Sequence, residues 1–483
     1  MPAGRSLRAL AFGLVLAPGC AWAGEGPAAA TPAVSLDIGA AFARLRERSG
    51  TLEGAALDAR AKRLQSDALS WAGGPTLSLS GYAARLSTTF SLDVSGVSDP
   101  VDAVIGAINA QVPGGGDLPP LPQRLSTTRT FNIASASANA AWPLYTGGRI
   151  DAVRQVADGR AREAAAETRE TEDQLAQTLV QRYFGAQLAR RAAAVRAAAL
   201  RGIAQHQHQA ERFEAQGLVA HHERLRADVA LAQARGDEAR ARSDAELAQL
   251  ALDRLLDEAA GVRPATPLFV HSKGVGSLQD FVDRARDHHP AWDRIEAKRL
   301  QADGAHALSL ASRQPQLLAF GSYTLDKSSD PLVRPDWAVG VLLRVPLVGP
   351  VDRGLLAEAS GLERRRVDVL AEQAGRDVPT LVESEWRALE NARAQYLATD
   401  ANVALARENM RLAQAGAREG QGTLLDAIDA RLALAKALTE QAQLAYQYDT
   451  ALAQLLAATG EPERFAMLAA GADLRLDTDP ELP

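Results

Sequence analysis

The chain has 483 residues, 23% of them charged and 5% aromatic, with a formal net charge of −6. Ala, Leu, Arg, Glu and Gln dominate long stretches, which is the composition of packed helices rather than of a compact α/β enzyme. Basic and acidic side chains interleave along the whole length, and this excludes the basic stripe that a nucleic-acid binder needs.

Taken in order, the N-terminus reads as a secretory signal peptide over residues 1–23. Arg5 and Arg8 precede an apolar run from Ala9 to Leu16, and Ala21-Trp22-Ala23 offers a small-x-small cleavage site before Gly24. Cys20 opens a second reading, a lipidated N-terminal cysteine, although Ala17-Pro18-Gly19 lacks the leucine expected three residues before it. Cleavage after Ala23 removes the single cysteine, so the mature chain needs no disulfide in an oxidising compartment. Nothing downstream offers the roughly 18 apolar residues of a membrane-spanning helix. A crossing by this exported chain has to be made by strands.

A helical segment is expected from about Leu36 to Trp71, then a strand from near Pro75, where Leu77 and Leu79 alternate with Ser78 and Ser80. Phe90, Leu92 and Val94 continue an alternation with Ser91 and Asp93. Residues 95–126 hold Pro113-Gly114-Gly115-Gly116 and Pro119-Pro120-Leu121-Pro122 and read as a long surface loop. A second strand, weaker in pattern, ends at Pro143, and a long helical stretch from about Arg149 to Ala259 breaks near Gly217.

The same order then returns. A helix from about Leu278 to Ser312 leads to a strand from Leu317 and another ending at Pro346, where Trp337, Val339, Val341, Leu343 and Val345 share one face. A helical stretch to about Thr459 follows, broken near Gly420. Residues 143–232 overlay 346–435 at a constant offset of 203, and Ala61-Lys62-Arg63-Leu64-Gln65 recurs as Ala297-Lys298-Arg299-Leu300-Gln301. Pro75 and Gly81 pair with Pro315 and Gly321 at an offset of 240, so the first copy is 37 residues longer between its strands. The chain is therefore two copies of one unit, 24–262 and 263–470, with a tail at 471–483. A helix of about 65 residues extends close to 100 Å at roughly 1.5 Å per residue, which suits a tube or rod. Two strands per copy give four, too few to close an edgeless barrel in lipid, whereas three chains supply twelve.

This doubled order of strand, strand and helical hairpin, joined at Pro143-Leu144-Tyr145-Thr146-Gly147-Gly148-Arg149 and turned at Gly217-Leu218-Val219-Ala220 and Gly420-Gln421-Gly422-Thr423, resembles the TolC-type outer-membrane efflux proteins. The resemblance spans essentially the whole mature chain. It implies a mostly α fold with β: a homotrimer with a 12-stranded outer-membrane β-barrel continued by a periplasmic α-helical barrel. It further implies a passive conduit of a tripartite efflux or type I secretion system, docked through a periplasmic adaptor to an inner-membrane transporter of RND, ABC or MFS type. Outer-membrane lipid is then a partner, and no cofactor or catalysis is called for.

Site residues follow from the same resemblance. Asp426 and Asp429 fall where the family narrows its periplasmic entrance, and three-residue spacing puts them on one helix face. Threefold symmetry would gather six carboxylates about an axis and favour cations. Read by spacing alone, both are equally helix-start acids that favour the helix dipole. Glu223 matches Asp426 in the first copy and joins the proposed constriction. Gly217, Leu218 and Gly420 are expected at the adaptor contact, and both glycines also serve to reverse the chain. The tyrosine and arginine clasp of TolC itself has no counterpart, since Ala417 and Gly422 stand at its positions. Trp142, Trp337 and Tyr145 are candidates for an interfacial aromatic belt. His206 and His208 point to different faces, and the adjacent pairs His221-His222 and His288-His289 suit a metal no better. Two other classes remain open, a periplasmic adaptor and a structural coiled-coil protein of the envelope. A single hairpin within split β-domains would mark the first; strand pairs and proline-bounded joins argue against the second.

Overall fold

The computed structural model describes residues 34–111, 119–325 and 336–476. The expected signal peptide, Cys20, Pro113-Gly114-Gly115-Gly116 and most of the expected tail lie outside them.

A short strand β1 (Val34–Leu36) precedes helices α1 (Ile38–Arg48) and α2 (Gly50–Ala68). The single helix expected over 36–71 is thus two. Ser49 makes the break: its backbone N–H closes α1 on Leu45, while its side chain caps α2 by accepting from the Leu52 N–H. The second copy divides in the same place, into α6 (Leu278–His288) and α7 (Pro290–Ala311). There Pro290 occupies the first position of α7, where its missing N–H costs nothing.

Strands β2 (Thr76–Asp93) and β3 (Arg124–Tyr145) pair antiparallel along the whole of β2. With β6 (Gln316–Thr324) and β7 (Trp337–Arg344) they form an open four-stranded sheet in the order β2-β3-β6-β7. β3 runs two residues beyond its expected end, with a register shift at Pro143/Tyr145 where the proline supplies no N–H. One face carries Leu77, Leu79, Ala138, Ala140, Tyr323, Val339 and Val341, and Leu77 and Val339 are 81% and 73% exposed. The opposite face carries Ser78, Ser80, Ser137, Asn139 and Ser322. There Phe320 lies over Gly340, where a Cβ would sit 2.9 Å from its ring. An exposed apolar face on a sheet with two free edges is the reverse of a water-soluble sheet.

The insertion differs from the expected loop. Residues Ser95–Gln111 form a helix, α3, and β3 begins at Arg124. Valine and isoleucine recur there at helical spacing, and the proline- and glycine-rich runs that suggested a loop begin only after it.

Long helices follow each strand pair: α4 (Arg149–Ala215) and α5 (His221–Leu255) in the first copy, α8 (Arg353–Glu419) and α9 (Leu424–Ala458) in the second. Both first arms have 67 residues and both second arms 35. Among the described residues no helix is long and apolar enough to cross a membrane. Glycines set the closest approach of α4 and α7. A Cβ on Gly159 would lie 2.9 Å from the Ala297 carbonyl, and one on Gly304 would lie 2.8 Å from Val156.

Midway along the helices sits the main apolar core, built on Tyr183, Phe184, Phe269, Phe281, Tyr448 and Phe465. Two small sheets cover it: β1 with β4 (Val262–Pro264), and β5 (Leu268–Val270) with β8 (Leu474–Leu476), beside helix α10 (Arg464–Gly471). The Tyr183 hydroxyl donates to the Leu36 carbonyl at 2.7 Å and accepts from the Thr266 N–H at 2.8 Å, tying the start of the first copy to the start of the second.

Candidate functional site at the helical hairpin tips

The first tip turns on Gly217, which adopts φ +70° and follows the last turn of α4. The Leu218 N–H reaches back to the Phe213 carbonyl and the Gly217 N–H to Glu214, the bond pattern of a helix stopped by a left-handed residue. Leu218 is left 67% exposed at the apex. An ion cluster braces this tip: Glu214 accepts from His221 at 2.6 Å and pairs with Arg224 at 2.6 Å, and Arg224 pairs with Asp228 at 2.7 Å.

The second tip is built differently. Gly420 adopts φ +74°, and the N–H groups of Gln421 and Gly422 both point at the Gly416 carbonyl. Thr423 then caps α9 in a reciprocal box with Asp426: the Asp426 N–H donates to the Thr423 hydroxyl, and the Asp426 carboxylate accepts from the Thr423 N–H and hydroxyl. Those bonds from Thr423 hold the Asp426 carboxyl below its ordinary range. Asp426 and Asp429 are both exposed, while Ala427, Ile428 and Ala430 between them and beyond are buried. The two carboxylates therefore share the outward face of α9. Asp426 also serves the cap, so the helix-start role read from spacing alone is present in full.

Glu223 stands at the third position of α5, the same place Asp426 holds in α9. Its setting differs. With Arg226, Arg418 and Phe213 it lines a cleft of about 360 Å³ between the two tips, which Asp426 and Asp429 do not line. Ile428 closes the cleft's floor as part of a small core with Ile203, Ala227 and Leu231. Gly422 lies against the backbone of Gly416 and Ala417.

Two groups near this region escape a reading of the sequence. Arg431 is buried against α4 at Gly202, where a Cβ would fall among its guanidinium atoms, and burial lowers its pKa. The only sequence signal is a glycine inside a long helix. Farther up, Asp449 is fully buried in the main core, and burial pushes its carboxyl well above the usual range. A carboxylate in the apolar stripe between Ala445 and Leu452 was the legible sign. The histidines hold no metal cluster among the described residues. His206 bonds Gln209, and burial lowers its pKa.

Comparison with known proteins bears on this arrangement. Residues 42–258 match the family model of the outer membrane efflux protein. The match covers 217 of the 483 residues, most of the first copy. The second copy repeats its elements, and the whole chain has the fold of the TolC-type outer-membrane channels. The crystal structure of CusC superposes with a TM-score of 0.70 at 16% identity, covering 88% of this chain and 92% of that one. The Campylobacter jejuni CmeC outer membrane channel gives 0.70 at 14% identity, covering 88% and 86%. The open state of the Neisseria gonorrhoeae MtrE outer membrane channel gives 0.66 at 19%, covering 88% and 89%. No curated protein sequence matches the chain. The chain is thus mostly helical with one four-stranded sheet, and it shares the fold of these outer membrane channels.

Proposed function

We propose that this chain is the outer-membrane channel of a tripartite efflux or type I secretion system, a passive conduit without catalysis. The observation that carries the reading is the outward apolar face of an open four-stranded sheet joined to helices of roughly 100 Å. Both free edges of that sheet must be paired in lipid, and three copies close a barrel of twelve strands. Trp142 at one end of the apolar face, and the paired Tyr323 and Trp337 at the other, suit an interfacial belt. Each copy, 24–262 and 263–470, supplies one hairpin of the sheet and one of the helical tube.

At the periplasmic end, Asp426 and Asp429 form an acidic constriction by threefold repetition, with Glu223 set back between the tips. Gly217, Leu218 and Gly420 present the apices to a periplasmic adaptor, which joins an inner-membrane transporter of RND, ABC or MFS type. Exposed Leu218 beside a partly apolar cleft supports this contact. A periplasmic adaptor or a structural coiled-coil protein accounts less well for a sheet with its apolar face outward.

Fractionation with light scattering of the detergent-solubilised protein tests the assembly. Protein extracted from outer membranes is expected at the mass of three mature chains. Release as a soluble single chain from the periplasm would overturn the reading.

A further inference from the structure

Among the described residues the helix α3 has no counterpart in the second copy, and its surface is unusual. Val97, Val101, Val104 and Ile108 step by four, three and four, the spacing of alternate d and a positions in a heptad. Val97 and Val104 are 70% and 59% exposed, and Val101 and Ile108 are exposed as well. In the same register the flanking positions are Ser98, Pro100, Ile105 and Ala107, so no charge borders the stripe. The helix carries only two charged residues, Asp99 and Asp102. Both are occupied by the chain's own return segment: Asp102 accepts from the Leu121 N–H at 2.7 Å and Asp99 from the Gln123 amide at 3.3 Å. One flank of α3 is thus committed to its own chain, while an uncharged β-branched seam stands open beside it.

What covers the seam follows from where the helix is rooted. α3 begins two residues after β2 ends, and β2 is one of the two free edges of the sheet. Among the described residues, 124–135 of β3 pair only with β2, so the two strands rise roughly 40 Å past β6 at ~3.3 Å per residue. Along this ribbon the apolar residues change sides: Phe90 and Leu92 have the parity of Ser78 and Ser80, and Leu92 faces Leu125 across the pair. All three are exposed. The apolar surface outside the sheet therefore does not continue the lipid-facing one.

We infer that α3 packs against α3 of two further copies of this chain, forming a parallel three-helix bundle over the outer mouth of the channel. The inference rests on the trimeric reading above. β-branched residues at both a and d favour three or four strands over two, and threefold symmetry makes the helices parallel. Two heptads are too short to associate alone, but strands held in one barrel present them to each other at high effective concentration. The exit then lies between the ribbons, beneath a cap, instead of opening axially.

Cysteine cross-linking in detergent-solubilised protein tests this, with Val101→Cys in the seam and Asp99→Cys on its far side, and the unsubstituted protein as background. Light scattering on the same samples reports the assembly separately. Three chains by mass, with Val101→Cys oxidised to a disulfide-linked pair in most trimers and Asp99→Cys unlinked, is the expected result. Three chains with Val101→Cys unlinked but open to a membrane-impermeant maleimide would overturn the bundle and leave the trimer standing. Three chains with Val101→Cys neither linked nor labelled would place α3 on lipid and also overturn it. A single chain by mass would remove both readings.

Discussion

Residues at the two tips show how one duplicated unit has been put to two uses. Gly217 and Gly420 adopt the same left-handed conformation, because a reversal of a long helix leaves no other cheap way to stop it. Past the turn the copies diverge. Thr423 and Asp426 lock the start of α9 by hydrogen bonds, whereas Ala220 gives α5 no side-chain cap and the Glu214, His221 and Arg224 cluster braces that tip by charge. Thr423→Ala should therefore cost about 1 kcal/mol of local helix stability, read as faster amide exchange in the first turn of α9 while α5 is unchanged. Equal loss of protection in both helices would mean that the tips open as one unit. The glycine turns were legible because the repeats could be aligned, and the acidic pair followed from the family resemblance and its three-residue spacing. The bracing cluster was not, since Glu214 lies seven residues from His221, beyond helical spacing.

At the level of elements, the long helices were readable from periodicity and duplication, and their matched lengths of 67 and 35 residues show how closely the copies agree. Shorter elements escaped for physical reasons. β1, β4, β5 and β8 have three residues each, too few to show alternation. Their pairing also joins segments some two hundred residues apart, as with Val34 beside Val262. The break between α1 and α2 was hidden because Ser49 caps both helices at once, without an intervening loop. α3 was hidden by the glycines and prolines that follow it. Interlocked glycines decide how α4 and α7 meet: Gly304→Leu would drive its side chain into Val156 and the Ala152 carbonyl. Overpacking there should cost about 1–3 kcal/mol or more, seen as a lower midpoint of thermal unfolding. An unchanged midpoint would show that the two helices can separate freely.

For the whole molecule, the governing fact is an incomplete surface. A sheet with an exposed apolar face and two free edges, hairpin tips with an exposed leucine, and the helix α3 with an open valine seam are each unfinished in one chain. In the proposed assembly, three copies around an axis would complete the sheet and the seam and leave the tips for another protein. The proposed symmetry would repeat Asp426 and Asp429 into six carboxylates, and within each chain the Thr423 hydrogen bonds favour the charged form of Asp426. Their charge should then govern which ions pass.

Single-channel conductance of the purified protein in a planar bilayer, beside the Asp426→Ala/Asp429→Ala variant, tests this most directly. The account predicts a stable, cation-preferring channel whose selectivity falls in the variant. Folded trimers that conduct no current would contradict it, and a channel indifferent to the two substitutions would contradict the acidic constriction.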